Sequence, residues 1–318
     1  DHNSLDRMIL RVSNLSPSSI HHLAHEKIIE LTDGFYGVLV SVDRELAKLI
    51  DTHAIRKYDK LVICNACVIE GGDFAGDPIE AYDRIILSIS YNCTRKAHYY
   101  TKLGLVSPRY PITVSLASLK PLKIAGAILI QITAKYDPET CEHFEQGSIL
   151  YRSVQEEFDE ASRRSILINE ESVVVYNEIS IDYPVPDSTS ASQITHIQHE
   201  MNEKALKTTE EIIQEKYKPR KVSWLYRYKV VQLPLSDPQT KFYFHYWNPP
   251  EYVLDILKVG KKVKVFNVKC SAFTSLNIDP CLKISSTKNT MVLEIPLNHP
   301  IIAEKFISRV NYFEFINY

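Results

Sequence analysis

One pattern occurs twice in this chain of 318 residues and limits what the chain can fold into. Each copy has a strand-like apolar segment, a short helix signal and a second strand-like segment. The first copy covers residues 35–40, 43–50 and 60–69. The second copy covers residues 241–247, 251–257 and 261–268, and its helix signal begins at Asn248-Pro249-Pro250. Proline favours a helix start, and β-branched or aromatic runs favour strands. The chain is therefore predicted to contain two related modules.

The order strand, short helix, strand is how an OB fold connects its third and fourth strands, and OB barrels bind oligonucleotides. The first module also has the expected number of strands, predicted at residues 8–12, 27–31, 35–42, 60–69 and 84–91. Thr32-Asp33-Gly34 lies between two of these apolar runs and is typical of a hairpin turn. We therefore predict a mainly β chain with tandem OB-fold barrels.

The second module is interrupted after its first predicted strand, residues 125–135, and resumes at residues 221–232. Between them, residues 142–164 and 190–217 place apolar side chains at helical spacing, with a short strand predicted at 173–175. We predict an inserted α-helical arm of two antiparallel helices, because a separate helical domain needs more apolar surface. The predicted domains are 1–121 (first OB fold and linker), 122–141 with 220–318 (second OB fold), and 142–219 (arm).

The charge is distributed unevenly along the chain. Residues 1–141 carry 16 basic and 16 acidic residues, residues 142–220 carry 8 and 16, and residues 221–318 carry 13 and 7. A basic C-terminal module predicts a polyanionic partner on that domain. No apolar run approaches the roughly 20 residues that span a bilayer, and the start has no leader pattern. We expect a soluble, intracellular protein, and the start at Asp1 rather than Met suggests part of a longer polypeptide.

Catalytic and metal-binding patterns are missing from the sequence. Its nine glycines form no phosphate-binding loop or dinucleotide fingerprint, and neither H-E-x-x-H nor G-x-S-x-G occurs. Cys64 and Cys67 are three residues apart on a predicted strand, so they point to opposite faces. We predict no enzyme activity, no cofactor and no metal. A nuclease or NTPase would need a metal site or phosphate cradle that this sequence lacks.

The second module combines cations with aromatic side chains on strands. Alternation along 223–229 places Trp224, Tyr226 and Tyr228 on one face, and alternation along 261–268 places Val263 and Val265 inward with Phe266 outward. Cations and stacking rings on one face are typical of single-strand binders. The predicted DNA-binding residues are Arg227, Lys229, Tyr243, His245, Trp247, Lys262 and Lys264, with Lys269 and Phe273 in the loop after the fourth strand.

The first module has a different surface. Its loop at residues 70–83 carries five acidic residues, which repel phosphates. Its third strand offers Tyr36 among small or apolar residues. We therefore predict that the first barrel mainly docks protein, and that DNA contact there is secondary.

Several segments resemble the DNA-binding region of the breast-cancer type 2 susceptibility protein family. Residues 28–36 (IIELTDGFY) and 94–104 (TRKAHYYTKLG) resemble that family's first OB fold. Residues 224–229 (WLYRYK), 246–249 (YWNP) and 260–262 (GKK) resemble its second OB fold, and the helical arm lies where the family carries its tower domain. We expect the arm to be too short to carry the small DNA-binding helical bundle of a tower's tip, and no third OB fold is predicted within residues 1–318.

The resemblance implies a nuclear recombination mediator. Such proteins bind single-stranded DNA, bind a small acidic disordered protein of the deleted-in-split-hand/split-foot type, and load a RecA-like recombinase in double-strand break repair. The recombinase is expected to bind outside this chain. The predicted partner-docking residues are Arg95, Lys96, Tyr99, Tyr100 and Lys102. The alternative is a docking scaffold that mainly binds the acidic partner, with DNA contact supplied by other domains.

Overall fold

The structure is a computed structural model that describes residues 7–16, 27–77, 80–82, 84–105, 111–121, 123–181, 191–233, 242–271, 282–295 and 312–313. It forms two compact units. The first comprises Asp1–Tyr136 with Tyr226–Tyr318, and the second comprises Asp137–Leu225. The architecture is mainly β with a helical insertion, as the sequence predicts.

The first barrel is built from short strands around one helix. Its elements are β1 (Met8–Asn14), β2 (Lys27–Thr32), β3 (Gly37–Val42), α1 (Arg44–Asp51), β4 (Lys60–Ile63), β5 (Cys67–Glu70) and β6 (Ile86–Ile89). They pair in the order β4-β1-β2-β3-β6-β5, with β3 and β6 parallel. One continuous strand was predicted at 60–69, but the structure divides it into β4 and β5 around Asn65, which has a φ of 54°. Strand β4 pairs with β1, whereas β5 pairs with β6.

Helix α1 forms because its start is capped and one face is apolar. The Asp43 carboxylate accepts a hydrogen bond from the Leu46 backbone N–H at 2.9 Å and another from the Tyr91 N–H at 2.8 Å. The first bond satisfies a helix N–H that has no intrahelical acceptor. Leu46, Leu49 and Ile50 are buried in the barrel core. The helix therefore closes one end of the barrel, as the repeat predicts.

The chain then continues through short strands into the second module and the arm. These elements are β7 (Thr94–Ala97), β8 (Gly104–Leu105), β9 (Thr113–Val114), β10 (Ile124–Lys135), β11 (Glu139–His143), β12 (Ile149–Ser153), α2 (Val154–Ile181) and α3 (Ala191–Lys216). The remaining elements are β13 (Lys221–Gln232), β14 (Phe242–Trp247), α4 (Glu251–Ile256), β15 (Lys262–Ser271), β16 (Leu282–Glu294) and β17 (Tyr312–Phe313).

The second barrel is closed. Its strands follow the order β10-β13-β14-β16-β15, and β15 pairs with β10 to complete the circle. Strands β14 and β16 are parallel, like β3 and β6 of the first barrel. The core contains Phe244, Val263 and Val265, each fully buried. This is the five-stranded OB arrangement predicted from the repeat.

The two barrels also contact each other within the first unit. Val62, Cys64 and Cys93 of the first module belong to the apolar cluster that fills the second barrel. The Asn65 side chain donates a hydrogen bond to the side-chain oxygen of Asn267 at 2.9 Å. Asn267 also has a φ of 54° and lies at a bulge in β15. The segment β4–β5 and the strand β15 are each the fourth strand of their barrel, so the bond joins equivalent positions of the two barrels.

The arm differs from the prediction at its beginning. A helix was predicted from residue 142, but β11 and β12 form a hairpin there and α2 begins at Val154. Ser153 and Glu156 form a capping box, since the Ser153 N–H donates to the Glu156 carboxylate at 2.7 Å and the Glu156 N–H donates to Ser153 Oγ at 3.3 Å. The strand predicted at 173–175 is also wrong, because these residues continue α2. Among the described helices, none has the length and apolar character needed to cross a membrane.

Candidate nucleic-acid interface

Strand β14 presents one apolar face and one mixed face. Phe242, Phe244 and Tyr246 are buried, whereas Tyr243, His245 and Trp247 are partly exposed. This alternation confirms the sequence prediction, because successive side chains of a strand point to opposite faces. The Trp247 N–H donates to Ser286 Oγ at 2.9 Å, which anchors the end of β14 to β16.

The neighbouring strands place cations beside this mixed face. Tyr243 pairs with Lys283, and His245 pairs with Ser285 of β16. Ser285 in turn pairs with Lys269 of β15. Directly paired residues share a face of the sheet, so Lys283 and Lys269 lie on the outer face with Tyr243 and His245. We define the platform as Arg227, Tyr243, His245, Trp247, Lys269 and Lys283.

The local potential at His245 reflects these cations. Burial, followed by the positive charges of Lys283 and Arg227, lowers the pKa of His245 from 6.5 to about 4. The Nδ1 atom of His245 is buried, and no hydrogen-bond partner for it lies in the described part of the chain. The platform therefore has a positive potential around a neutral imidazole at pH 7.

We expect His245 to stay neutral when the free protein is titrated from pH 8 to pH 5. Because its folded pKa lies near 4, below the usual 6.5, folding loses stability as the pH falls from 6.5 towards 4. Carbon chemical shifts of the His245 ring, recorded across this range, should stay constant. A midpoint for His245 above pH 6 would contradict the burial of its imidazole beside Lys283 and Arg227.

Strand β13 positions the predicted residues Arg227 and Lys229, which are both partly exposed. Tyr228, predicted to share a face with Trp224 and Tyr226, is fully buried, and burial raises its pKa. Trp224 is 38% exposed. Leu225 and Tyr228 are both buried although they lie three residues apart, so β13 does not follow a simple alternation between them.

Lys262 and Lys264 do not join the platform. They lie at the other end of β15, where Lys264 pairs with Leu129 and Leu293. Burial lowers the pKa of Lys264, and Arg7 of the first module adds to this effect. The Lys264 Nζ lies 5.1 Å from the ring centroid of Phe266, whose side chain is only 4% exposed instead of open to solvent as predicted. Lys264 therefore lies near the first module and not on the platform.

The bulge at Asn267 explains where Lys269 lies. It was predicted in the loop at 269–281, but β15 continues to Ser271 and the Lys269 side chain is exposed on the strand. Val265, Val268 and Cys270 point inward, so the bulge shifts the alternation by one residue. Phe273, the remaining predicted loop residue, lies outside the described residues.

Two residues of this surface were missed in the sequence. The outward position of Lys283 could have been predicted from the alternation of residues 282–285, in which Ile284 is buried and Lys283 is not. Tyr136 lies just after β10; its N–H donates to the Arg227 carbonyl at 3.0 Å, and its ring centroid is 6.2 Å from that of Tyr243. Tyr136 is 40% exposed. No strand pattern marks Tyr136, because the contact depends on the barrel closing.

The predicted partner-docking residues do not form one surface. Arg95 is only 1% exposed, and its Nη1 donates to the carbonyls of Tyr91 at 2.8 Å and Thr94 at 2.7 Å. It cannot dock a partner in this state, because the guanidinium is held by backbone inside the module. Lys96 pairs with Asp59 at 2.8 Å. Tyr99, Tyr100 and Lys102 are exposed, as predicted.

With this geometry in place, comparison with known families addresses the first barrel. Residues 1–107 match the family model described as BRCA2, oligonucleotide/oligosaccharide-binding, domain 1. The first barrel is a BRCA2-type OB fold. This match confirms the family resemblance seen at residues 28–36 and 94–104. It covers about a third of the chain, and β1 to β8 all lie within it.

Solved structures give only distant similarity. A murine DNA binding protein bound with double-stranded DNA is 8% identical over 93% of this chain and 98% of that one, with a TM-score of 0.26. A replication protein A heterotrimer bound to single-stranded DNA is 9% identical over 93% of this chain and 50% of that one, with a TM-score of 0.28. At these TM-scores the similarity carries no argument about this chain.

Proposed function

We propose that this chain is a single-stranded DNA-binding module and that the platform of the second barrel holds the strand. The observation that supports this most is the mixed face of β14, where Tyr243 and Trp247 lie among Arg227, Lys269 and Lys283. Aromatic faces stack on bases of any sequence, and nearby cations bind the phosphates. The BRCA2-type OB fold of the first barrel supports the same class of ligand.

The spacing of the aromatic side chains suits a strand that runs along β14. Tyr243 and Trp247 are four residues apart, so their Cα atoms are separated by about 13 Å at the usual rise of a strand. His245 lies between them and points to the same face. Each ring can then receive a separate base, while the neutral imidazole leaves the phosphates to the lysine and arginine side chains.

The charges around β14 favour a polyanion. Strands β13, β14 and β15 contain no aspartate or glutamate. Lys269 and Lys283 approach from the side of β16, and Arg227 comes from β13. A phosphate backbone on this surface meets cations without a competing carboxylate from these three strands.

The finer part of the proposal follows from the family. We propose a non-enzymatic role in homologous recombination, in the nucleus, where the module supports loading of a RecA-like recombinase during double-strand break repair. A small acidic disordered protein is the proposed protein partner. A second candidate function is a docking scaffold for that partner, favoured by Tyr99 and Tyr100, which are 86% and 61% exposed on the first barrel.

Salt titration of oligo-dT binding tests the phosphate contacts. We expect the logarithm of the affinity to fall against the logarithm of salt with a slope of about −0.7 per phosphate neutralised. Lys283→Glu should make the slope shallower by about 0.7 or more and weaken binding. Fluorescence anisotropy at several salt concentrations measures both quantities.

A matched control is Lys258→Glu, which makes the same charge change on an exposed residue beside α4. Its slope should stay close to that of the unmodified chain. A flat salt response of the unmodified chain would support the scaffold function instead. In that case oligo-dT binding should also be weak in the absence of the acidic partner.

A further inference from the structure

The first barrel holds a bulky residue in an unfavourable backbone conformation. Tyr58, just before β4, has a φ of 74°, although its side chain is 64% exposed. Side chains larger than glycine rarely adopt this region, and for a bulky residue the conformation stores strain. Burial does not explain the tyrosine here, because the ring contributes little to the core.

The surrounding hydrogen bonds hold Tyr58 in this conformation. Its N–H donates to the Val12 carbonyl at 2.8 Å, and the Val12 N–H donates to the Asp59 carbonyl at 2.9 Å. The Asp59 carboxylate accepts from the Arg56 N–H at 2.8 Å and from Lys96 Nζ at 2.8 Å. The turn is therefore fixed from both sides, and the Tyr58 ring is presented outward from a rigid backbone.

Cations surround the Tyr58 ring. The guanidinium carbon of Arg11 lies 5.9 Å from the ring centroid, and Lys57 Nζ lies 5.2 Å from it. Arg11 pairs across the sheet with Lys60. Within the described residues, Arg11, Lys57 and Lys60 form no salt bridge with a carboxylate. These positive charges are therefore available to an anionic ligand.

A second group of aromatic rings adjoins these cations. Lys60 Nζ donates to the Thr101 carbonyl at 2.6 Å, which ties the loop after β7 to β4. In this loop the His98 and Tyr100 rings stack, with centroids 5.1 Å apart, and the Tyr99 ring meets Tyr100 edge-on at 5.5 Å. Tyr99 is 86% exposed, so a ring face remains open to a ligand.

We propose that Arg11, Lys57, Tyr58, Lys60, Tyr99 and Tyr100, called here the Tyr58 cluster, form a second binding site for single-stranded nucleic acid. Open ring faces that alternate with uncompensated cations match a ligand of alternating bases and phosphates. It lies on β1, on the turn before β4, on the first residue of β4 and on the loop after β7, and Arg11 also pairs with Thr32 of β2. From the sequence, Tyr99 and Tyr100 are predicted to dock a protein partner, and Tyr58 is not singled out.

Photo-crosslinking tests this proposal separately from the platform. The full chain and its Tyr243→Ala/Trp247→Ala variant are irradiated with an oligo-dT that carries 5-iodouracil, and crosslinked peptides are identified by mass spectrometry. We expect crosslinks at Tyr58, Tyr99 or Tyr100 in both chains. Crosslinks confined to the second barrel would overturn the Tyr58 cluster, whereas crosslinks confined to the cluster would overturn the platform.

A substitution at Tyr58 separates binding from folding. Tyr58→Gly removes the ring and suits a φ of 74°, so the melting temperature should stay the same or rise. In the background of the platform double variant, affinity for oligo-dT should fall about 5-fold or more. Tyr252→Ala is the control, because Tyr252 is also 64% exposed but lies on α4. Unchanged affinity for the Tyr58→Gly variant would overturn the proposal.

Competition with polyglutamate distinguishes the class of ligand. Polyglutamate offers negative charge without bases, so it should displace oligo-dT from the platform double variant only at a large excess. Displacement at equal concentrations of charge would assign the Tyr58 cluster to an acidic protein and overturn the nucleic-acid proposal.

Discussion

A chain in which Tyr243 and Trp247 are both replaced by alanine is expected to lose about 2 to 6 kcal/mol of binding free energy for oligo-dT. The estimate is the sum of two base stacks at about 1 to 3 kcal/mol each. Both side chains are partly exposed on β14, so their removal leaves the core formed by Phe242, Phe244 and Tyr246 in place. Fluorescence anisotropy at one fixed salt concentration measures the loss.

Two controls make this result specific. The melting temperature of the double variant should stay within a few degrees of the unmodified chain. Tyr252→Ala removes an exposed aromatic ring from α4 and should bind oligo-dT normally. If the double variant folds and its affinity is unchanged, Tyr243 and Trp247 do not stack on bases.

Replacing Arg220 by leucine is expected to destabilise the unit formed by Asp137–Leu225 by about 3 to 5 kcal/mol. Arg220 Nε contacts one Glu142 oxygen at 2.6 Å, and its Nη2 contacts the other at 3.0 Å and Glu157 at 2.8 Å. Arg152 also contacts Glu142, at 2.6 Å. Side-chain exposure of these four residues is only 9 to 16%, so loss of one cation leaves carboxylates poorly compensated.

Hydrogen exchange of the amides in β11 and β12 measures this loss of stability. Lys218→Leu is the matched control, because Lys218 is 72% exposed and its contact with Glu145 is 3.5 Å long. It should change stability by no more than about 0.5 kcal/mol. Equal effects of the two substitutions would mean that the Glu142 network does not stabilise the unit.

The same network predicts a pH dependence. The hydrogen bonds from Arg220 are the largest cause that lowers the pKa of Glu142, from its usual 4.5 to about 2, although burial opposes the shift. Because the folded pKa is lower, Glu142 stabilises the unit fully above about pH 4.5 and loses this contribution as the pH falls towards 2. The contribution is about 3 kcal/mol, so acid unfolding of the Arg220→Leu variant should depend less on pH in this window.

Much of the frame could be predicted because it depends on local signals. The cap at Asp43 and the apolar face of α1 are both visible in the sequence, and β14 alternates without interruption. The Ser153 and Glu156 capping box also marks the start of α2, but the helical spacing of apolar residues within 142–164 favoured an earlier start. Val173–Val175 favoured a strand by intrinsic preference, and the long helix overrides that preference.

The site was harder to predict because its members depend on tertiary structure. Lys262 and Lys264 alternate with inward valines in the sequence, as a cation of the platform would. In the structure, however, Lys264 lies over the Phe266 ring and near Arg7. Arg95 has a surface-like charge, but backbone carbonyls hold it inside the module. The positive φ of Tyr58 could not be predicted from the sequence, because tyrosine rarely adopts this conformation.

The bulge at Asn267 makes the position of one platform cation depend on a single residue of chain length. Val265 before the bulge and Val268 after it both point into the barrel. Inward side chains are therefore odd-numbered before the bulge and even-numbered after it. Deleting Asn267 would restore one continuous phase through β15. Lys269 would keep its outward position, because Val268 would then follow Val265 at the two-residue spacing of a regular strand. With Asn267 present, the bulge itself keeps Lys269 on the binding surface, since unbroken alternation through the same residues would turn Lys269 inward and Cys270, now fully buried, outward.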